Sequence, residues 1–421
     1  MGKRAASRGG LSGSGWHIDQ ACPQCGAPVT LDETDRLLAC PFCRTRLYLA
    51  PDGPFRYYIP PQTPAAGAEL LYVPYWRLRG SFFSVTASEV SHRFVDRNLL
   101  AADLADLPSS LGLRPQVLRL RYVSPETEGR FIPPDVAADR APPAPGAVPP
   151  GVFFRGYIGE QLSLIHAPLH LRGGTLFDAV LGKPVAGAAA ATVERLLNAP
   201  PGVRSRVRFI PTLCPGCGWD MEGERDSLVL LCRNCDTAWA CPADSFTPVE
   251  FSVLAPPPAA GGIASYLPFW RMKPRVEGLE VETYADLIRL ANLPKVVTPA
   301  HAATPLRFWS PAFKVNPALY SRWALQMTLF QPDGDGSDRL PAAPLYPVTL
   351  PLREAVEGIA VTLARLVTGK HRHTPKLAGI RITGEQARLE YHPFLMRGNE
   401  LVHAALGTAL DRTALAYGMR L

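Results

Sequence analysis

The sequence has no run of about 18 consecutive apolar residues, so no transmembrane helix and no membrane insertion are expected. Its first residues, 1–15, are Gly- and Ser-rich with Lys3, Arg4 and Arg8. No apolar segment follows them, so they read as a disordered tail and not a secretory signal. The expected location is therefore cytoplasmic, where thiols stay reduced. Also missing are a GxxxxGK[ST] phosphate loop, a GxGxxG turn, a GxSxG elbow and an HExxH helix. These absences remove the commonest devices for nucleotide binding, acyl transfer and metalloproteolysis, and the expectation is a protein that is not an enzyme. Charge is sparse as well. Only 19% of residues are Asp, Glu, Lys or Arg, and the net charge of +7 is not gathered into a dense basic run.

What is present is apolar residue (47%), proline (44) and glycine (35) in 421 residues. That is enough for two or three domains with a sizeable core, in a turn-rich and strand-rich chain.

Eight of the nine cysteines form two matching sets. Cys22-Pro-Gln-Cys25 is followed after fourteen residues by Cys40-Pro-Phe-Cys43. Cys214-Pro-Gly-Cys217 is followed after fourteen residues by Cys232-Arg-Asn-Cys235. A CxxC turn puts two thiolates on one side of a knuckle, and two knuckles joined by a hairpin make a closed four-sulfur site. Such a site suits zinc, and the expected cofactor is two zinc ions per chain; rubredoxin-type iron is the rival metal. Gly26 and Gly218 follow the leading pairs, where a knuckle often needs positive φ. A closed site has no open coordination position and is structural. Cys241 is left over as a spectator thiol.

All four cysteine pairs repeat at an offset of 192 residues, and the repeat continues beyond the metal. Tyr72-Val-Pro-Tyr-Trp76 matches Tyr266-Leu-Pro-Phe-Trp270, and Pro168–Gly182 matches Pro393–Gly407. Asp103–Pro108 is paired with Arg289–Pro294, and Leu113-Arg114 with Leu306-Arg307. Pro-rich loops at 133–150 and 331–350 also correspond. The expected organisation is tail 1–15, zinc ribbon 16–50, β-rich body 55–185, helical linker 186–207, zinc ribbon 208–245 and β-rich body 246–421. The last carries an inserted helix over 351–369. The fold class is α+β, mostly antiparallel, as two homologous halves with the ribbons as separate knobs. Short helices are expected at 98–107, 186–198 and 282–293, and a hairpin over 162–181 turning at Arg172-Gly173-Gly174.

Pro74-Tyr-Trp76-Arg77 and Pro268-Phe-Trp270-Arg271 read two ways. Trp76, Arg77, Trp270 and Arg271 could form exposed stacking platforms, or core tryptophans capped by arginine. Arg365, Lys370, Arg372, Lys376 and Arg381 make the best anion-binding patch, centred on Lys370, Arg372 and Lys376; His371 and His373 beside them, and His166 with His170, are weaker metal candidates. Arg172-Gly173 and Arg397-Gly398 read as turn geometry.

The ribbons with Pro74–Trp76 and Pro268–Trp270 resemble a group of poorly characterised bacterial zinc-ribbon proteins. In these a four-cysteine ribbon precedes a Pro-[Tyr/Phe]-Trp strand; here the module occurs twice. Some members carry labels borrowed from a primosomal helicase, which do not transfer to a chain without a phosphate loop. Between Cys22 and Arg46 three acids balance three bases, and between Cys214 and Asp244 six acids face two bases, a net −4. Phosphate affinity needs clustered Lys and Arg. The expected function is therefore a non-catalytic adaptor or scaffold that contacts an unidentified protein partner. Nucleic acid, held by Arg and Trp surfaces of the bodies, is the second reading.

Overall fold

The computed structural model describes residues 16–62, 67–86, 89–112, 118–136, 152–185, 187–202, 207–258, 262–332, 334, 336–367 and 380–418. The tail 1–15, most of the loop 133–150, Leu113-Arg114 and, in the basic patch, Lys370, His371, Arg372, His373 and Lys376 lie outside these residues; of the patch's other two cations, Arg365 donates to the Ser321 hydroxyl and Arg381 pairs with Glu277.

Each half is built on a sheet of the same order. In the first body the sheet runs Val90–Leu100, Glu69–Thr86, Val152–Arg172, Phe55–Tyr58, Arg121–Tyr122. In the second it runs Phe308–Pro311, Ile263–Glu277, Arg381–Arg397, Phe251–Leu254, Gly336–Ser337. In both, the two long strands pair antiparallel and the fourth strand joins parallel. The register agrees too: Trp76 lies opposite Leu164 and Trp270 opposite Leu389, the residues that the repeat itself aligns. The fold is mixed α+β, mostly antiparallel, with two similar sheet bodies.

The duplicated proline explains part of this order. A residue in an antiparallel strand aims its N–H and C=O at the same neighbour. The Pro74 carbonyl accepts the Ala101 amide just beyond the strand Val90–Leu100, and the Pro268 carbonyl accepts Ala312 just beyond Phe308–Pro311. A proline has no N–H to return, so pairing with the edge strand stops at the same register in each body. The match of Asp103–Pro108 with Arg289–Pro294 fails by the same measure. The first segment follows its edge strand, whereas the second precedes Phe308–Pro311.

The expected hairpin forms as strands Val152–Arg172 and Thr175–Asp178, with Gly173 and Gly174 both at positive φ. Helices Ala190–Asn198, Tyr284–Leu290 and Leu352–Val367 lie where the sequence places them. The helix expected at 98–107 does not form. Residues 98–100 complete the strand Val90–Leu100 against Arg77, Trp76 and Tyr75, and turns follow. Cross-strand pairing outweighs a short helical pattern there. The segment Ala190–Asn198 is not a free linker. Val193 and Leu196 enter the first body's core, and the Thr192 hydroxyl donates to Asp106.

Two helices tie the bodies together. Leu352–Val367 touches the long strands of both, and Pro317–Phe330 contacts Val90–Leu100 as well as the second body. Phe83, Val85 and Ile158 of the first body thereby join the second body's core. A Cβ added at Gly358 would overlap the Tyr320 hydroxyl and press on Ile158, so glycine permits this approach.

The four-cysteine modules are not separate knobs. Strand Arg46–Ala50, the last of the first module, pairs with Leu37–Ala39 on one side and with Arg208–Pro211, leading into the second module, on the other. Leu37 and Tyr48 share a buried cluster with Met221, Leu230 and Cys232. Arg46 donates to the carbonyls of Met221 and Gly223, and Arg225 pairs with Asp35. Ordinary sheet pairing and apolar burial across the module boundary outweigh the independence that the ribbon pattern suggested.

Candidate metal centres

Each centre is assembled from two knuckles with one backbone design. In the first, the Gly26 amide donates to the Cys22 carbonyl and the Arg44 amide to the Cys40 carbonyl. In the second, Gly218 donates to Cys214. The residue after the closing cysteine has positive φ in all four knuckles: Gly26 (73°), Arg44 (61°), Gly218 (73°) and Asp236 (50°). The two glycines take this conformation without strain, while Arg44 and Asp236 adopt it against the ordinary preference of L-residues. The knuckles are strand-to-strand turns. Pro28–Asp32 pairs back onto His17–Ala21, and Val229–Cys232 pairs with Thr237–Ala240.

The four thiols of each set lie within 4.8 Å of one another. In the first centre Cys22–Cys43 and Cys25–Cys40 are each 3.7 Å apart between sulfurs. In the second Cys214–Cys235 is 3.6 Å and Cys217–Cys232 is 3.5 Å. These separations far exceed a disulfide bond of about 2.05 Å. Four sulfurs at the corners of a tetrahedron about 2.3 Å from a central ion would be roughly 3.8 Å apart. The groups therefore could hold metal ions, and their geometry is compatible with zinc.

The thiols of each group differ. The Thr45 amide holds the Cys43 thiol down to about 6, whereas desolvation and neighbouring thiols push Cys25 of the same group, and Cys232 of the other, up to about 12. Thr237 Oγ1 lies 3.1 Å from the Cys235 sulfur. Cys22, Cys40, Cys214 and Cys232 are buried, whereas Cys25 and Cys217 are exposed. Both centres thus sit at the protein surface with one side against the core. Cys241 belongs to neither set; its thiol points at the Ala243 carbonyl at 3.8 Å.

The paired Trp–Arg motifs behave as core elements. Trp270 is buried and its indole N–H donates to the Leu350 carbonyl at 2.9 Å. Trp76 is half-buried and donates to the Val136 carbonyl at 2.6 Å. Arg77 is 1% exposed, stacks 4.0 Å over the Trp16 ring, and pairs with Glu33 at 3.1 Å and with Asp96. Arg271 pairs with buried Glu390 at 2.7 Å. The exposed stacking platform is thus overturned at Arg77 and Trp270, because the Arg77 guanidinium finds its carboxylates, and the Trp270 indole N–H its acceptor, inside the fold. His166 and His170 are buried, and burial holds His166 down to about 4. Its Nδ1 lies 3.0 Å from the Tyr57 carbonyl, so it is a core histidine and not a ligand.

Two polar concavities carried no signal in the sequence, because each gathers residues far apart in the chain. A cavity of about 210 Å³ lies where both modules and both bodies meet, lined by Thr34, Arg36, Gln161, Asp226, Lys314 and Glu354 among others. Burial lowers the Lys314 ammonium and raises the Asp226 carboxyl. The cavity is smaller than the roughly 300 Å³ of a small ligand pocket, and its cations and carboxylates oppose one another. It is a charged seam between modules. The other is a cleft of about 430 Å³ on the second body, lined chiefly by Arg271, Lys273, Arg307, Gln386 and Arg388.

The fold and centres together define a pair of interlocked four-cysteine hairpin modules on two similar sheet bodies. No protein-family model, curated protein or solved structure matches the chain.

Proposed function

We propose that the chain is a zinc-binding, non-catalytic adaptor or scaffold of a reducing, cytoplasmic compartment, which docks a protein partner on its four-cysteine modules. The observation that carries this reading is where the modules display aromatic surface. Phe42, inside the second knuckle of the first module, is 67% exposed, and Trp219, just after the first knuckle of the second, is 61% exposed. Trp is enriched at the centres of protein interfaces, and exposed apolar side chains beside a rigid, metal-tied turn come with little ordering cost. Two zinc ions would be held by Cys22, Cys25, Cys40 and Cys43, and by Cys214, Cys217, Cys232 and Cys235. Closed tetrathiolate sites supply folding free energy and leave no position for substrate.

A nucleic-acid factor built on the Trp motifs is disfavoured by the burial of Trp270 and Arg77. The acidic second module is likewise a poor phosphate binder. The test is affinity capture from native cells with nuclease-treated extract, comparing the wild-type chain with a Phe42→Ser/Trp219→Ser variant that still contains two zinc ions. A defined protein retained after nuclease and lost with the variant is expected. Capture that disappears with nuclease, or survives in the variant, would reject the reading.

A further inference from the structure

The basic cleft of the second body has a filled counterpart in the first. Sheet register places Arg77 opposite Ser163 and Arg79 opposite both Gln161 and Asp96. In the second body Arg271 lies opposite Arg388, and Lys273 opposite Gln386. Arg307 directly precedes Phe308, the partner of Met272, and so stands where the first body has Asp96. The two sheets thus present the same face, but Ser163 and Asp96 are replaced by arginines.

In the first body this face is closed by a carboxylate. Glu33, from the first four-cysteine module, is 2% exposed and sets Oε1 3.1 Å from Arg77 and 2.7 Å from Arg79. The Gln161 amide donates to the Glu33 backbone carbonyl. The cysteine repeat aligns Glu33 with Arg225 of the second module, a cation that turns away to Asp35. No carboxylate therefore arrives from the second module at the equivalent face. Among the described residues Arg271 has Glu390, whereas Lys273, Arg307 and Arg388 have no ion pair. The Arg388 Nε is buried with no hydrogen-bond partner. Four cations against Glu250 and Glu390 leave this face two positive charges in excess.

We infer that this cleft, lined by Arg271, Lys273, Arg307, Gln386 and Arg388, is a docking site for a glutamate or aspartate carboxylate on an acidic segment of a protein partner. The inference rests on the adaptor reading and names the partner's chemistry at a second place on the chain. A guanidinium pair grips a planar carboxylate through two parallel N–H donors, and the first body already shows a carboxylate seated between two cations at this position. Glu250 and Glu390 oppose the higher charge of a phosphate, which favours the carboxylate.

The test uses fluorescence anisotropy with the full chain, zinc-loaded, at about 50 mM salt. The probes are a fluorescein-labelled peptide alternating Glu and Ser, its Gln-for-Glu counterpart, and a labelled single-stranded oligonucleotide. Saturable binding of the Glu peptide alone is expected. It should weaken about tenfold or more in the Arg307→Asp/Arg388→Ser variant, which restores the first body's residues. Arg119→Ala, an exposed arginine of the first half, should leave it unchanged. Far-ultraviolet circular dichroism and zinc content verify that the variants are folded. Equal binding of the Gln peptide, an unaltered affinity in the cleft variant, or preference for the oligonucleotide would each overturn the inference. Those outcomes are separate from the capture experiment, which reads Phe42 and Trp219 and leaves the cleft intact.

Discussion

The two halves share a strand order and a four-cysteine geometry but differ in how each sheet face is closed. In the first, the buried Glu33 bridges Arg77 and Arg79, and Trp16 covers Arg77, so module and body are locked by charge as well as by apolar contact. In the second, the matching residue is Arg225, the module leans on its sister, and the body keeps an open basic cleft. Reversing one charge, Glu33 to Arg225, redirects a side chain from its own body to the neighbouring module. The two similar bodies thus carry one closed and one open version of a single surface.

The largest test of this comparison is at the metal. Cys217→Ser should lower bound zinc from two ions per chain to one, read by elemental analysis. Structural tetrathiolate sites are worth on the order of 10 kcal/mol in apparent binding free energy. Because Met221, Leu230 and Cys232 share a cluster with Leu37 and Tyr48, loss of the second centre should also loosen the first module. Hydrogen exchange at Leu37–Ala39 would report that loosening, and full protection there would break the interlocked picture. Cys241→Ser should leave the zinc content at two.

A smaller effect separates the closed face from the open one. Glu33→Ala removes the buried carboxylate shared by buried Arg77 and nearly buried Arg79, and should cost about 3–5 kcal/mol in urea unfolding. Lys273→Ala, at the position of the open face that matches Arg79, should change stability by no more than about 0.5 kcal/mol. Similar costs at both positions would mean that the two faces are not different after all. An effect between these two lies at the contact between the bodies. Gly358→Ala forces a methyl onto Tyr320 and should cost about 1–3 kcal/mol, with part recovered in the Tyr320→Phe background. An unchanged melting temperature would show that the helix Leu352–Val367 can shift without cost.

The four-cysteine groups were legible because CxxC spacing is a local signal. Four residues set each knuckle, and the same positive φ recurs after each closing cysteine. The sheet bodies were legible through the repeat, since Pro74–Trp76 and Pro268–Trp270 end the edge pairing in the same way. What escaped was long-range. Nothing near Arg46–Ala50 announces that Arg208–Pro211 will pair with it. The helix Pro317–Phe330 was missed because apolar residues also stand off its buried face, Leu319, Leu325, Leu329 and Phe330 among them, so that it shows no clear apolar stripe. Asn316 as N-cap with Pro317 at the first position was the signal that could have found it. The cleft escaped for a different reason: its cations are scattered from 271 to 388, and only sheet register brings them together.

The pairing of Arg46–Ala50 with Arg208–Pro211 also constrains how the chain can be made. Synthesis runs from the N-terminus, so the first module emerges with one strand edge lacking its neighbour, and that edge stays open while the whole first body is translated. Binding of the first metal can organise the hairpins early, but it cannot cover an unpaired edge. Only when Arg208 leaves the ribosome does the missing strand arrive. A chain terminated between the two halves would carry a permanently exposed edge, and its fate would be association with other chains rather than existence as a half-sized version of the protein.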